Sequence, residues 1–116
     1  MENLEKQCLE KLNNILSKFN LEIEATYIES PNVWQYRLVD NFLPKNTCFG
    51  WLYIWSSISD MLMHRNSIFE CLRSYAYFEY NSYSYKRYLE AYNVIKYLEN
   101  ICCLEEFIIR CDLEGI

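Results

Sequence analysis

Tyrosine is concentrated in one stretch of this chain, between residues 75 and 97. The stretch contains eight of the eleven tyrosines in the 116-residue sequence. A tyrosine ring is apolar, whereas its hydroxyl needs a hydrogen-bond partner, so tyrosine suits surfaces that become dry only on binding. Eight such rings in 23 residues cannot all face the core of so short a chain. We therefore expect part of this stretch to form a binding surface.

The sharpest candidate within the stretch is one face of a helix. Tyr85, Tyr88 and Tyr92 are spaced at i, i+3 and i+7, which places them on the same side. Tyr83 and Arg87 border them. Because tyrosine and arginine dominate the energetics of protein interfaces, we predict that these five residues form an exposed contact for a partner. The alternative is that the rings pack on a sheet and only their hydroxyls reach the rim.

The same stretch also allows direct binding of nucleic acid or a nucleotide. Residues 64–97 carry five Lys or Arg against three Glu, and this net charge of +2 makes them the only basic part of the chain. Rings interleaved with cations can stack on bases and pair with phosphates. The whole chain, however, has a net charge of −5, whereas binding to a phosphate backbone needs a basic footprint. Protein binding is therefore the favoured interpretation.

No combination of residues predicts catalysis or a metal site. His64 is the single histidine, and no spacing pairs it with a nucleophilic cysteine. The six cysteines form no CxxC motif, and Cys102 and Cys103 are adjacent, so a tetrahedral zinc site is not expected. We predict no enzymatic activity, no metal and no cofactor. We expect the thiols to be buried or half-buried and to act as small hydrophobic side chains.

A second surface, which is acidic, is predicted on the first strand. Glu22 and Glu24 alternate with apolar residues, and Glu29 follows them. Such carboxylates could imitate phosphates and block the basic channel of a larger protein through complementary charge. The alternative is an ordinary solubilising face.

The hydrophobic periodicity predicts the elements that position these residues. It predicts a helix over residues 2–19, strands over 21–29, 33–40 and 47–55, helices over 57–64, 67–79 and from 82 or 84 to 100, and a last strand over 106–113. The last stretch could instead extend the preceding helix. The order α-β-β-β-α-α-β indicates a single α+β domain, in which two or three helices pack on one face of an antiparallel sheet of three to four short strands.

Two features of the sequence bear on where the protein acts. The N-terminal residues lack the apolar region of a secretory signal, so we expect a cytoplasmic location, which is the host cytoplasm if the protein is viral. The longest apolar stretch, at residues 48–55, is too short to span a bilayer, and no membrane association is expected.

The amino-acid composition indicates a phage or low-GC bacterial origin. The total for Phe, Tyr, Met, Ile, Asn and Lys is 48, against 12 for Gly, Ala, Arg and Pro.

In size, acidity, composition and element order, the chain resembles small phage-encoded inhibitors of bacterial defence, such as anti-CRISPR proteins, and also toxin-neutralising immunity proteins. This resemblance is one of general profile and assigns a role to no particular residue. It implies a non-enzymatic protein that binds a larger protein or ribonucleoprotein and inhibits it sterically. A nucleotide- or RNA-binding module and a homodimer are the alternatives.

Overall fold

A computed structural model describes residues 3–43, 51–78 and 83–115. Its elements are, in chain order, α1 (Asn3–Leu16), a 3-10 helix (Ser17–Phe19), β1 (Leu21–Ile28), β2 (Val33–Asp40), β3 (Trp51–Trp55), α2 (Ile58–Met63), α3 (Ile68–Phe78), α4 (Tyr83–Ile95), a second 3-10 helix (Lys96–Leu98) and α5 (Leu104–Leu113). The predicted α+β class is confirmed, with a helix first, an antiparallel sheet next and further helices last.

The described strands form one antiparallel sheet in the order β1-β2-β3. Ala25 of β1 pairs with Tyr36 of β2, and Tyr36 in turn pairs with Trp55 of β3. Because side chains alternate across a strand, the inward face of β2 carries Tyr36, Leu38 and Asp40. The register therefore directs a carboxylate into the interior at the last residue of β2.

The hydrophobic core lies between this inward sheet face and the helices. Buried side chains recur at three- and four-residue spacing on the helices, as one apolar stripe per helix requires. The largest fully buried side chains are Leu12, Ile15, Leu16, Leu21, Leu38, Ile58, Met61, Leu62, Ile68, Phe69, Tyr88 and Phe107. One member, Tyr88, belongs to the tyrosine-rich stretch, so α4 is packed with part of that stretch turned inward.

Local signals fix where the elements begin and end. Ser57 caps α2, because its Oγ accepts the backbone N–H of Asp60 at 3.0 Å. Ser67 does the same for α3, accepting the N–H of Glu70 at 3.4 Å. Asn20 adopts a left-handed conformation, with φ of 59°, and ends the first 3-10 helix before β1. The starts of α2 and α3 lie within one residue of the starts predicted at residues 57 and 67.

The C-terminal segment is a helix, so the strand predicted over residues 106–113 is wrong. The apolar residues there alternate, but they also match a helical stripe that begins earlier, at Leu104, Phe107, Ile108 and Cys111. Phe107 and Cys111 are buried four residues apart, whereas Ile109 is exposed. This stripe packs against α1, and the Cys8 Sγ approaches the Leu104 carbonyl oxygen at 3.6 Å. Packing on a helix therefore overrides the alternating pattern.

Parts of several predicted features lie outside the described residues. These are the first residue of the helix predicted over 2–19, the first part of the third strand, at residues 47–50, the end of the helix predicted over 67–79, and the break between that helix and the next one, at Asn81 and Ser82. The remaining predicted helices and strands agree with the observed ones to within a few residues at their ends.

Candidate functional site

The structure separates the predicted contact residues into buried and accessible ones. Tyr88 is 1% exposed and Arg87 is 5% exposed, so the exposed position predicted for these two side chains is wrong. Tyr92 is half-buried in the last turn of α4. The side chains of Tyr83 and Tyr85 lie outside the described part of the structure. The predicted helical face therefore does not form one exposed patch.

Arg87 and Tyr88 turn inward because Asp40 is buried opposite them. Arg87 donates from Nη1 to Asp40 Oδ1 at 2.8 Å and from Nη2 to Oδ2 at 2.5 Å. The Tyr88 hydroxyl donates to the same Oδ2 at 2.6 Å. A carboxylate in an apolar core is very unfavourable unless it is paired and hydrogen-bonded. The end of β2 thus determines which face of α4 packs inward.

Further backbone and side-chain groups complete this buried cluster. The Phe42 backbone N–H donates to Asp40 Oδ1 at 3.0 Å, and Arg87 also donates to the Phe19 carbonyl oxygen at 3.1 Å. The Arg87 guanidinium carbon lies 5.0 Å from the centroid of the Phe42 ring. The cluster therefore joins α4 to the start of β1 and the end of β2, which lie side by side, and its role is to hold the fold.

The buried cluster makes stability depend on the ionisation of Asp40. Burial opposes ionisation, but hydrogen bonds from Arg87 and Tyr88 outweigh it and hold the pKa of Asp40 below its ordinary value. An unfolded aspartate titrates at about pH 3.9. Because the folded pKa is lower, the stabilisation is complete above that pH and is lost as the pH falls through the folded pKa.

We therefore expect the difference in free energy of unfolding between the wild type and Asp40→Asn to shrink on acidification. Urea denaturation of both proteins at several pH values between about 7 and about 2 measures this difference. Comparison with the variant removes the contribution of the other carboxylates. A difference that stays constant over the range contradicts the assignment of the effect to Asp40.

The accessible part of the tyrosine-rich stretch is organised around Arg73 on the outer side of α3. Arg73 Nη1 donates to the Tyr92 hydroxyl at 3.0 Å, and its guanidinium carbon lies 5.5 Å from the centroid of that ring. Arg73 also pairs with Glu70, and its Nη1 lies 3.7 Å from the Glu99 carboxylate. These contacts hold the outer sides of α3 and α4 in one arrangement.

Two strongly exposed rings lie close to these residues along the chain. Tyr77, one helical turn beyond Arg73, is 77% exposed, and Tyr97 is 59% exposed with the Lys96 ammonium 5.4 Å from its centroid. We call Arg73, Tyr77, Tyr92, Lys96 and Tyr97 the tyrosine–arginine surface. The predicted contact list missed all of these except Tyr92. The apolar stripe of α3 was the signal that could have found Arg73 and Tyr77, because both fall on the opposite side.

The predicted acidic residues lie apart from this surface, on β1. Glu22 and Glu24 are half-buried on the outward sheet face, and Glu29 is exposed just beyond the strand. The register places Arg37 opposite Glu24 and Val39 opposite Glu22. The outward face therefore combines acidic, basic and apolar side chains, so it is less uniformly acidic than predicted.

His64 lies beside a shallow depression of about 270 Å³ between β3 and α2. Ser56 Oγ donates to Asp60 Oδ2 at 2.7 Å, and His64 Nε2 lies 3.1 Å from Asp60 Oδ1. In a Ser-His-Asp triad the histidine lies between the other two, so that it can take the hydroxyl proton. Here the carboxylate lies in the middle, which is not the order that activates a serine nucleophile.

The cysteines divide into two groups. Cys8, Cys71 and Cys111 are buried, as predicted, whereas Cys102 and Cys103 are exposed, which corrects the prediction for those two. Cys48 lies outside the described residues. Among the residues that the structure describes, no group of three or more His, Cys, Asp or Glu could hold a metal ion.

Comparison with known proteins supplies no relative. No protein-family model matches the chain, and no curated protein and no solved structure matches it either. Within residues 3–43, 51–78 and 83–115, no helix is long and apolar enough to cross a membrane. Any functional assignment therefore depends on the surfaces described above.

Proposed function

We propose that this is a small non-enzymatic protein that binds a larger protein and inhibits it sterically, with the tyrosine–arginine surface as the contact. The observation that carries the proposal is the fixed arrangement of Arg73 and Tyr92 beside the exposed ring of Tyr77. Tyrosine and arginine are enriched among residues that contribute most to binding. Because Arg73 is already held in place, less side-chain entropy is lost on association.

The charges around Arg73 favour a protein partner over a nucleic acid. Glu70 and Glu99 both lie beside the Arg73 guanidinium. A phosphate that approached Arg73 would meet these two carboxylates, on a chain whose net charge is already −5. A protein interface tolerates such mixed charge, since donors and acceptors can both be matched across it.

Within this class, inhibition of a defence complex and neutralisation of a toxin use the same chemistry. In both cases a compact protein covers a functional surface of its partner. The acidic residues Glu22, Glu24 and Glu29 supply a second contact if the partner carries a basic channel, because opposite charges accelerate encounter. The identity of the captured partner, a nuclease complex or a single toxin, separates the two settings.

Capture from the native host tests the proposal. We expect tagged wild-type protein to retain one or a few proteins after nuclease treatment, and the Tyr77→Ala/Tyr92→Ala double variant to lose them while it remains folded. The expected loss follows from removal of two rings of the proposed contact. Purified partner should also lose its own activity when the wild type is added.

The matched control is Tyr27→Ala, which removes another exposed tyrosine, located on β1. It should capture the same proteins as the wild type. The proposal fails if the double variant captures the same set at the same yield. Capture that disappears on nuclease treatment would instead support binding to nucleic acid.

A further inference from the structure

Two adjacent cysteines are exposed at the start of α5. Cys103 is the residue immediately before the helix, and within the described part its side chain makes no capping hydrogen bond. The Cys102 backbone N–H donates to Glu106 Oε2 at 2.7 Å, so the backbone around the pair is held in place. Both residues are accessible to solvent and both thiols are free. Both thiols are therefore accessible to small molecules in solution.

The other described thiols contrast with this pair. Burial raises the pKa of Cys8 and of Cys71 to about 12 and that of Cys111 to about 11. The thiolate is the reactive form of cysteine, so these three are chemically quiet at neutral pH. The core would also have to open before an oxidant in solution could reach these three thiols. Selective reaction at Cys102 and Cys103 follows from exposure and adjacency together.

We propose that Cys102 and Cys103 form a redox modification site, at which a peroxide closes a disulfide between the two neighbouring residues. One thiolate sulfur attacks a peroxide oxygen, the O–O bond breaks, and a sulfenic acid and one water form. The second sulfur then attacks the sulfenic sulfur, the S–O bond breaks and a second water leaves. In total, two thiols and one hydrogen peroxide give one disulfide and two waters.

Adjacency makes the disulfide intramolecular and easy to reduce. The second thiol is on the next residue, so its attack needs no encounter with a second molecule. Neighbouring Cα atoms are only about 3.8 Å apart, whereas disulfide-bonded Cα atoms are usually about 4.4–6.8 Å apart. The resulting strain makes the bond reducible, as in labile regulatory disulfides. The modification is therefore reversible under reducing conditions.

The test uses the full reduced chain, treated with hydrogen peroxide and then blocked with N-ethylmaleimide. Trypsin cleavage after Lys96 and Arg110 gives a peptide that contains both cysteines and no other. We expect this peptide to lose two hydrogens and to resist blocking, and dithiothreitol to reverse both changes. Cys102→Ser and Cys103→Ser should each abolish the product, whereas Cys71→Ser should leave it unchanged.

Phenylarsine oxide provides a second measurement that does not depend on oxidation. Its arsenic binds two neighbouring sulfurs with release of one water, so we expect one arsenical per chain and none in either single serine variant. The proposal is overturned by a disulfide-linked dimer, by sulfinic acid accumulating on one cysteine, by a disulfide to Cys48, or by earlier oxidation at a buried cysteine. An unmodified pair under conditions that oxidise glutathione overturns it as well.

Discussion

Replacement of Asp40 by alanine is expected to lower the free energy of unfolding by about 3–5 kcal/mol, because Arg87 would stay buried without its counterion. Arg87 forms two hydrogen bonds to this carboxylate, and Tyr88 forms a third. All three side chains are almost fully buried, so water cannot easily replace the lost contacts. Urea denaturation followed by circular dichroism measures the loss, provided that the free energy of unfolding falls with urea concentration at the same slope in both proteins.

The matched control is Asp112→Ala, which removes an exposed carboxylate. Asp112 lies 3.2 Å from the Lys11 ammonium at the surface, and such pairs contribute only about 0.2–1 kcal/mol. The loss in free energy of unfolding should therefore be several times larger for Asp40→Ala than for Asp112→Ala. Similar losses in both would mean that the buried cluster does not hold the fold as described.

The sequence predicts most of the fold because the hydrophobic pattern of most elements agrees with the way they pack in the structure. The alternation of β1 and β2 and the helical stripe of α1 each point one apolar face toward the core, and the structure buries those faces. Residues 106–113 fail this rule because an alternating pattern and a helical stripe share the same residues. Contact with α1 then decides between them, and no local pattern contains that information.

The candidate site could be predicted only in part, since tyrosine suits both core and surface. The spacing of Tyr85, Tyr88 and Tyr92 specifies a common face but not which way that face points. Asp40 decides which way that face points. It follows Leu38 by two residues on β2, so it lies on the same inward side, and this spacing was a usable signal because an inward carboxylate needs a cation. The pattern does not show which arginine pairs with Asp40, because Arg87 lies 47 residues away along the chain.

The second large effect is expected at Tyr77. Its replacement by alanine should weaken binding to the partner by about 30-fold, which corresponds to about 2 kcal/mol for a residue at the centre of an interface. The side chain is mostly exposed, so the free energy of unfolding should change by no more than about 0.5 kcal/mol. Binding and folding are thus separable at this position, in contrast to Tyr88.

The most direct test of the tyrosine–arginine surface is the dissociation constant of the purified complex, measured by calorimetry. The comparison includes the wild type, Tyr77→Ala and Tyr27→Ala, whose tyrosine is exposed on the sheet instead. The predicted result is a loss of about 30-fold for Tyr77→Ala and a wild-type constant for Tyr27→Ala. A wild-type constant for Tyr77→Ala, together with a loss for Tyr27→Ala, would contradict the account and place the contact on the sheet.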